Sequence, residues 1–209
     1  MRKLVMIPIM AVLVFATALG LAPKIDGVNV GDAAPMTTTK MKTTSGDMTS
    51  IADAAMENGV IVVFSCNTCP YVIAWEDRYN EIAELGAEHG FGFIALNPNE
   101  AKRDGEDSFD AMVEHAKEND YQFAYAVDTK HEIADAYGAD RTPHVFLLHR
   151  TNPDEAMKVA YIGAIDDNYK NAEEVEEPFL ANAIRALAGG NNPDPNLTKS
   201  IGCTIKRID

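Results

Sequence analysis

A chain of 209 residues, 46% of them hydrophobic, can bury one good core, and nothing in its composition calls for a second full domain. The formal net charge of -14, which would become -16 on loss of Arg2 and Lys3, argues against nucleic acid and anionic membrane as partners. Three unevenly placed cysteines are too few for a disulfide scaffold, which leaves a working dithiol and one further thiol to explain.

In chain order, Arg2 and Lys3 precede an apolar run over residues 4–21 that contains Ala16-Thr17-Ala18, a small-x-small cleavage pattern. Residues 1–22 therefore read as an export signal or, if uncleaved, as an N-terminal anchor tethering the protein to a membrane; Pro8 and Gly20 weaken a continuous spanning helix. The protein is expected to be exported, to the periplasm or cell envelope or beyond. Residues 23–190 are the expected globular domain, and 191–209 form a tail that carries Cys203.

Residues 34–50, rich in Thr, Met and Gly, read as a loop or loose hairpin. Gly59 then precedes VIVVF, residues 60–64, a continuous β-branched run typical of a strand covered on both faces. Pro70 suits the first turn of a helix over about 70–85, with Val72, Ile73, Trp75, Tyr79, Ile82 and Leu85 inward and Glu76, Asp77, Arg78 and Glu81 facing water. A second strand, 91–96, is closed by the turn chemistry of Asn97-Pro98-Asn99. Next come a helix over 108–118 with Phe109, Met112, Val113 and Ala116 on one face, a strand over 123–127, and a short helix over 129–137 ending at Gly138. A strand at 145–148, a turn at Asn152-Pro153-Asp154-Glu155, an antiparallel strand at 159–162 and a helix over 175–188 complete the order. Such an order implies an α/β fold, a central mixed β-sheet flanked by helices on both faces.

The chemistry centres on Cys66-Asn67-Thr68-Cys69, which begins two residues after a buried strand and runs into Pro70. A strand-to-helix turn aims unpartnered amides and the positive end of the helix dipole at the first cysteine and stabilises its thiolate. Cys66 is thus the expected nucleophile, and Cys69, one turn on, resolves the mixed disulfide. No dissociable cofactor is needed, and the expected partners are protein disulfide or dithiol clients, or a thiol reductant. Pro143, in Arg141-Thr142-Pro143, cannot donate to a sheet ladder; before a strand it marks a fixed turn and a candidate cis bond.

At these residues the chain resembles the thioredoxin superfamily, in which a Thr-Pro pair with cis proline faces the CxxC; the resemblance implies a thioredoxin-like fold and gives Thr142 and Pro143 a substrate-binding role. It narrows to the redoxin or peroxiredoxin-like branch through Gly31-Asp32-Ala33-Ala34-Pro35, Cys66-Asn67-Thr68-Cys69-Pro70-Tyr71-Val72, Asn97-Pro98-Asn99, Gly163-Ala164-Ile165-Asp166-Asp167-Asn168 and Gly202-Cys203-Thr204-Ile205-Lys206. Arg207 stands where a Trp would be expected. Peroxiredoxins use Pro-x-x-x-Thr-x-x-Cys; with that cysteine aligned to Cys69, Val62 replaces the Pro and Cys66 the Thr, so the peroxidatic loop is not intact. Thioredoxin's buried carboxylate is also missing from residues 60–64, and Glu76 is the candidate substitute.

Disulfide exchange is therefore the expected activity. The alternatives are a thiol-dependent peroxidase and a metal-carrying or non-catalytic binding module; a zinc site would need Cys66, Cys69, Cys203 and a histidine. His144, beside Pro143, reads as a wall residue near the dithiol, and His89, His115, His131 and His149 as surface positions. Trp75 and Tyr71 have helical core spacing, and Asp166-Asp167-Asn168 reads as a capped turn in preference to a calcium loop. Cys203 keeps two readings, a transient disulfide with Cys66 or Cys69 and an inert packed thiol.

Overall fold

The computed structural model describes residues 27–209, so the leader expected at 1–22 lies outside the described residues. In chain order the elements are β1 (Met41–Lys42), β2 (Met48–Thr49), α1 (Ile51–Ala54), β3 (Gly59–Phe64), α2 (Pro70–Trp75), α3 (Tyr79–Glu88), β4 (Phe91–Asn97), α4 (Phe109–Glu118), β5 (Ala124–Val127), α5 (Glu132–Tyr137), β6 (Arg141–Thr142), β7 (His144–His149), β8 (Lys158–Gly163), α6 (Phe179–Ala188) and β9 (Cys203–Thr204). Five strands form one sheet in the order β5-β4-β3-β7-β8. On one side of β3 the neighbours β4 and β5 run parallel to it, and on the other β7 and then β8 alternate in direction. This is the mixed sheet expected from the element order, with a thioredoxin-like arrangement.

VIVVF is buried throughout because it is the central strand. Side chains two apart share a face. Val60, Val62 and Phe64 therefore pack with Ile133 and Tyr137 of α5 on one face. Ile61 and Val63 pack with Trp75, Tyr79 and Ile184 on the other. Burial of a side chain of this size contributes about 1.5–3 kcal/mol, so each of these five residues adds measurably to stability.

The expected 70–85 helix is broken. A tighter turn, Glu76–Arg78, separates α2 from α3 and rotates the helical register. Glu76 and Arg78, expected in water, are consequently buried, while Ile73, expected in the core, is 54% exposed. Buried charge requires partners. Arg78 pairs with Asp166, whose other oxygen accepts from Trp75 Nε1 at 2.8 Å, and Glu76 accepts from His115. His115 is thus a packed residue and not a surface one. The closing helix starts at Phe179, not 175, with Pro178 as its N-cap. Gly138 ends α5 in the left-handed region, φ 69°, as its place in the sequence led one to expect.

Beyond α6 the tail is integral to the fold. Thr198 N donates to Ile162 O at 2.9 Å, β9 pairs antiparallel with β6, and Ile205 is buried. Arg207, the departure from the resembled pattern, donates to Asp135 Oδ1 at 2.7 Å and to Ala139 O at 2.6 Å, clamping the tail to α5.

Candidate active site

The CxxC loop leaves the C-terminal end of β3, where Ser65 N extends the ladder to Leu96 O at 2.8 Å. Pro70 occupies the first helical turn and Cys69 is the N-cap of α2, so the helix starts after the second cysteine and not around the first. Both sulfurs are buried, with Cys66 2% and Cys69 4% exposed.

Opposite them stands Thr142, joined to Pro143 by a cis peptide bond. Cys66 Sγ lies 3.1 Å from Thr142 Oγ1, and Cys69 Sγ donates to Thr142 O at 3.1 Å. Two local signals 76 residues apart thus meet at one point. Thr142 is itself fully buried, because β9 pairs with it through Cys203. Cys203 packs on the Cys66, Cys69 and Val72 cluster and is the most accessible of the three thiols.

The environment separates the two buried thiols. The neighbouring Cys69 sulfur and deep burial push the pKa of Cys66 well up. The neighbouring Cys66 sulfur lowers that of Cys69 to about 5 despite its burial. Cys203 is pushed up to about 11 by burial and by the neighbouring Cys69 sulfur.

Glu76 is not placed to serve the sulfurs as a proton acceptor. Its Oε2 bonds His115 Nε2 at 2.8 Å and Tyr121 Oη at 3.2 Å. The carboxylate that meets the CxxC loop is Asp107, wholly buried in a segment that reads from sequence as a polar loop. Its Oδ1 accepts from Asn67 N at 2.9 Å and Asn97 Nδ2 at 2.8 Å, and its Oδ2 from Asn99 Nδ2 at 2.9 Å. Asn99 Oδ1 in turn accepts from Lys206 N at 2.9 Å. One buried network therefore ties the dithiol loop, the end of β4 and the tail. The available signal was Asn97 itself, a polar side chain ending an apolar strand at the same sheet edge as the CxxC.

His144 is 9% exposed and tilted against Phe146, with Nδ1 unbonded and 3.7 Å from Asp140 Oδ1. Burial lowers its pKa to about 4, so the ring is neutral at physiological pH. Asp166 accepts from Asn168 N at 2.9 Å while paired to Arg78, a capped turn whose carboxylate already has its cation. Among the described residues no group of three or more His, Cys, Asp or Glu side chains is arranged to hold a metal ion, and no helix is long and apolar enough to cross a membrane.

A search of curated proteins finds no significant match. Two solved structures are similar over most of the chain. A hypothetical protein from Sinorhizobium meliloti is 26% identical, with a TM-score of 0.74 over 88% of this chain and 97% of that one. An uncharacterized conserved protein from Geobacillus kaustophilus is 29% identical, with a TM-score of 0.77 over 88% and 94%. Peroxidoxin BcpB from Mycobacterium tuberculosis, 13% identical with a TM-score of 0.57 over 77% and 98%, shares the fold. Residues 29–178 match the redoxin family. With that match spanning most of a thioredoxin-like fold, the chain belongs to the redoxin family of the thioredoxin superfamily, and its function is thiol-based redox chemistry.

Proposed function

We propose that the protein is a thiol–disulfide oxidoreductase in which Cys66 and Cys69 cycle between dithiol and disulfide. The observation that carries this reading is the opposed pair of contacts to Thr142, which sets both sulfurs against one residue at the end of β3. One cysteine of the pair attacks and the other resolves: the sequence makes Cys66 the nucleophile and Cys69 the resolving thiol, while the lowered pKa of Cys69 supports the reverse order. Attack by one thiolate on a client disulfide forms a mixed disulfide and expels one client thiol; the other cysteine of the pair then attacks the first and expels the second. Thr142 and Pro143 border the site and orient the incoming disulfide. The clients are protein disulfides or dithiols, or a small thiol reductant, met outside the cytoplasm by virtue of residues 1–22. The dithiol's reduction potential sets the direction of flow.

The test is equilibration of the purified protein with glutathione buffers, followed by alkylation and mass mapping of Cys66 and Cys69. A two-electron transition in which Cys66 and Cys69 lose their thiols together and yield a linked Cys66–Cys69 peptide supports the reading. Failure of the wild-type pair to titrate overturns it. The lowered Cys69 thiolate also favours a second reading, a thiol-dependent peroxidase, for which peroxide consumption would require Cys69 and survive Cys66→Ser.

A further inference from the structure

We propose that Cys203 is a third redox thiol, forming a disulfide with Cys69 and relaying electrons between the buried pair and the partner. The proposal rests on the dithiol reading and changes its first step: the client meets Cys203 before the pair. The problem that it answers is access: Cys66 and Cys69 are only 2% and 4% exposed, and β9 pairs with Thr142, the residue that contacts both sulfurs. Cys203, on β9 itself, is only partly buried and stands in register with Thr142. It packs, with Tyr71 of the first turn of α2, against the cluster of Cys66, Cys69 and Val72. A thiol packed on the pair has only a short way to travel to bond with it, and the tail that carries Cys203 is fixed by Ile205, Lys206 and Arg207.

The sequence of steps balances. Cys203, as thiolate, attacks one sulfur of a client disulfide; a Cys203–client bond forms, the client S–S bond breaks, and the first client thiolate takes up the proton that Cys203 gave to solvent. Cys69 thiolate then attacks Cys203 Sγ, forming Cys69–Cys203 and releasing the second client thiolate, which is protonated. Cys66 attacks Cys69 Sγ, forming Cys66–Cys69 and returning Cys203 as a thiol that takes the proton Cys66 loses. Two thiols have been oxidised and one client disulfide reduced to two thiols. Each exchange is reversible, so the same relay oxidises a client dithiol when run backwards. Attack by Cys203 needs its thiolate, which is scarce at neutral pH, so this step gains most from rising pH.

The experiment uses the full chain, reduced, in three forms: wild type, Cys66→Ser and Cys203→Ser. After a brief pulse of glutathione disulfide and acid quench, the first adduct in wild type is expected on Cys203, and oxidised Cys66→Ser is expected to lose both remaining thiols and yield a linked Cys69–Cys203 peptide. Cys203→Ser is expected to keep the Cys66–Cys69 disulfide at equilibrium but to react with a protein disulfide such as insulin at least about tenfold more slowly. A first adduct on Cys69 with Cys203 still free, or two free thiols in oxidised Cys66→Ser, overturns the relay. If Cys203→Ser matches wild type in rate while Cys66–Cys69 still forms, the relay falls and the dithiol reading stands; if no cysteine of the wild type is oxidised, both fall.

Discussion

Gly202 is the tightest point between the tail and the dithiol, and Gly202→Ala therefore tests whether the tail covers the site. A Cβ at this position would lie 2.4 Å from Thr142 O, 2.7 Å from Thr142 C and 3.2 Å from Pro143 N. All three are backbone atoms, so no side-chain rotation relieves the clash. Ordinary contact begins near 3.4 Å, which requires a displacement of about 1 Å. Thr142 is fully buried and contacts both sulfurs, whereas Gly202 lies in an irregular segment at the edge, so the tail is what moves. Overpacking of this kind costs about 1–3 kcal/mol. If that cost falls on the docked tail, the open state gains the same amount and labelling of the buried thiols through it rises about 5- to 150-fold. The assay is iodoacetamide labelling of reduced protein at fixed pH, read by mass for Cys66 and Cys69, beside a urea unfolding curve that separates tail opening from global unfolding. Unchanged labelling rates in a folded variant would refute the covering role of the tail.

The remaining predictions concern charge and the buried network. With its folded pKa lowered to about 5, against about 8.5 for a free thiol, Cys69 should alkylate at a rate that rises near pH 5 and is flat by pH 7, as followed in a labelling profile. By linkage the unfolded state binds the extra proton between those values, so the stability that Cys69 contributes is lost as pH falls through about 5 and rises toward pH 8.5; the difference in unfolding free energy between reduced wild type and Cys69→Ser across that window measures it. Asp107→Ala should cost about 3–5 kcal/mol in urea unfolding, because Asn67, Asn97 and Asn99 lose their buried acceptor together. Arg78→Met should cost a similar amount, about 3–5 kcal/mol, by stranding the Asp166 carboxylate, and Asp166→Asn combined with it should recover part of the loss in the same assay.

Much of the fold could be read locally. VIVVF states its own burial on both faces, and Pro143 states that the chain must turn before β7, while the meeting of Cys66, Cys69 and Thr142 was expected from the resemblance to the thioredoxin superfamily and is seen as contacts. What escaped depended on distant partners. Nothing near Glu76 or Arg78 shows that the helix tightens there, because the groups that receive them, His115 and Asp166, are 39 and 88 residues away. Asp107 sits among charged neighbours that do face water, and only the convergence of Asn67, Asn97 and Asn99 draws it inside. The N-cap falls on Cys69 and not near Cys66, a shift of one turn that no local residue announces. Boundaries of that kind are the least determined by local sequence.

Trp75 is the only tryptophan in the sequence, and it closes the helix that Cys69 caps, with its indole nitrogen bound to Asp166 and its ring 5.6 Å from that of Tyr169. The chain therefore carries one indole fluorophore, excitable apart from its seven tyrosines, fixed by a hydrogen bond and sharing a helix with the Cys69 N-cap. Its emission offers an optical record of each change at that helix, free of any label and of any second tryptophan to obscure it.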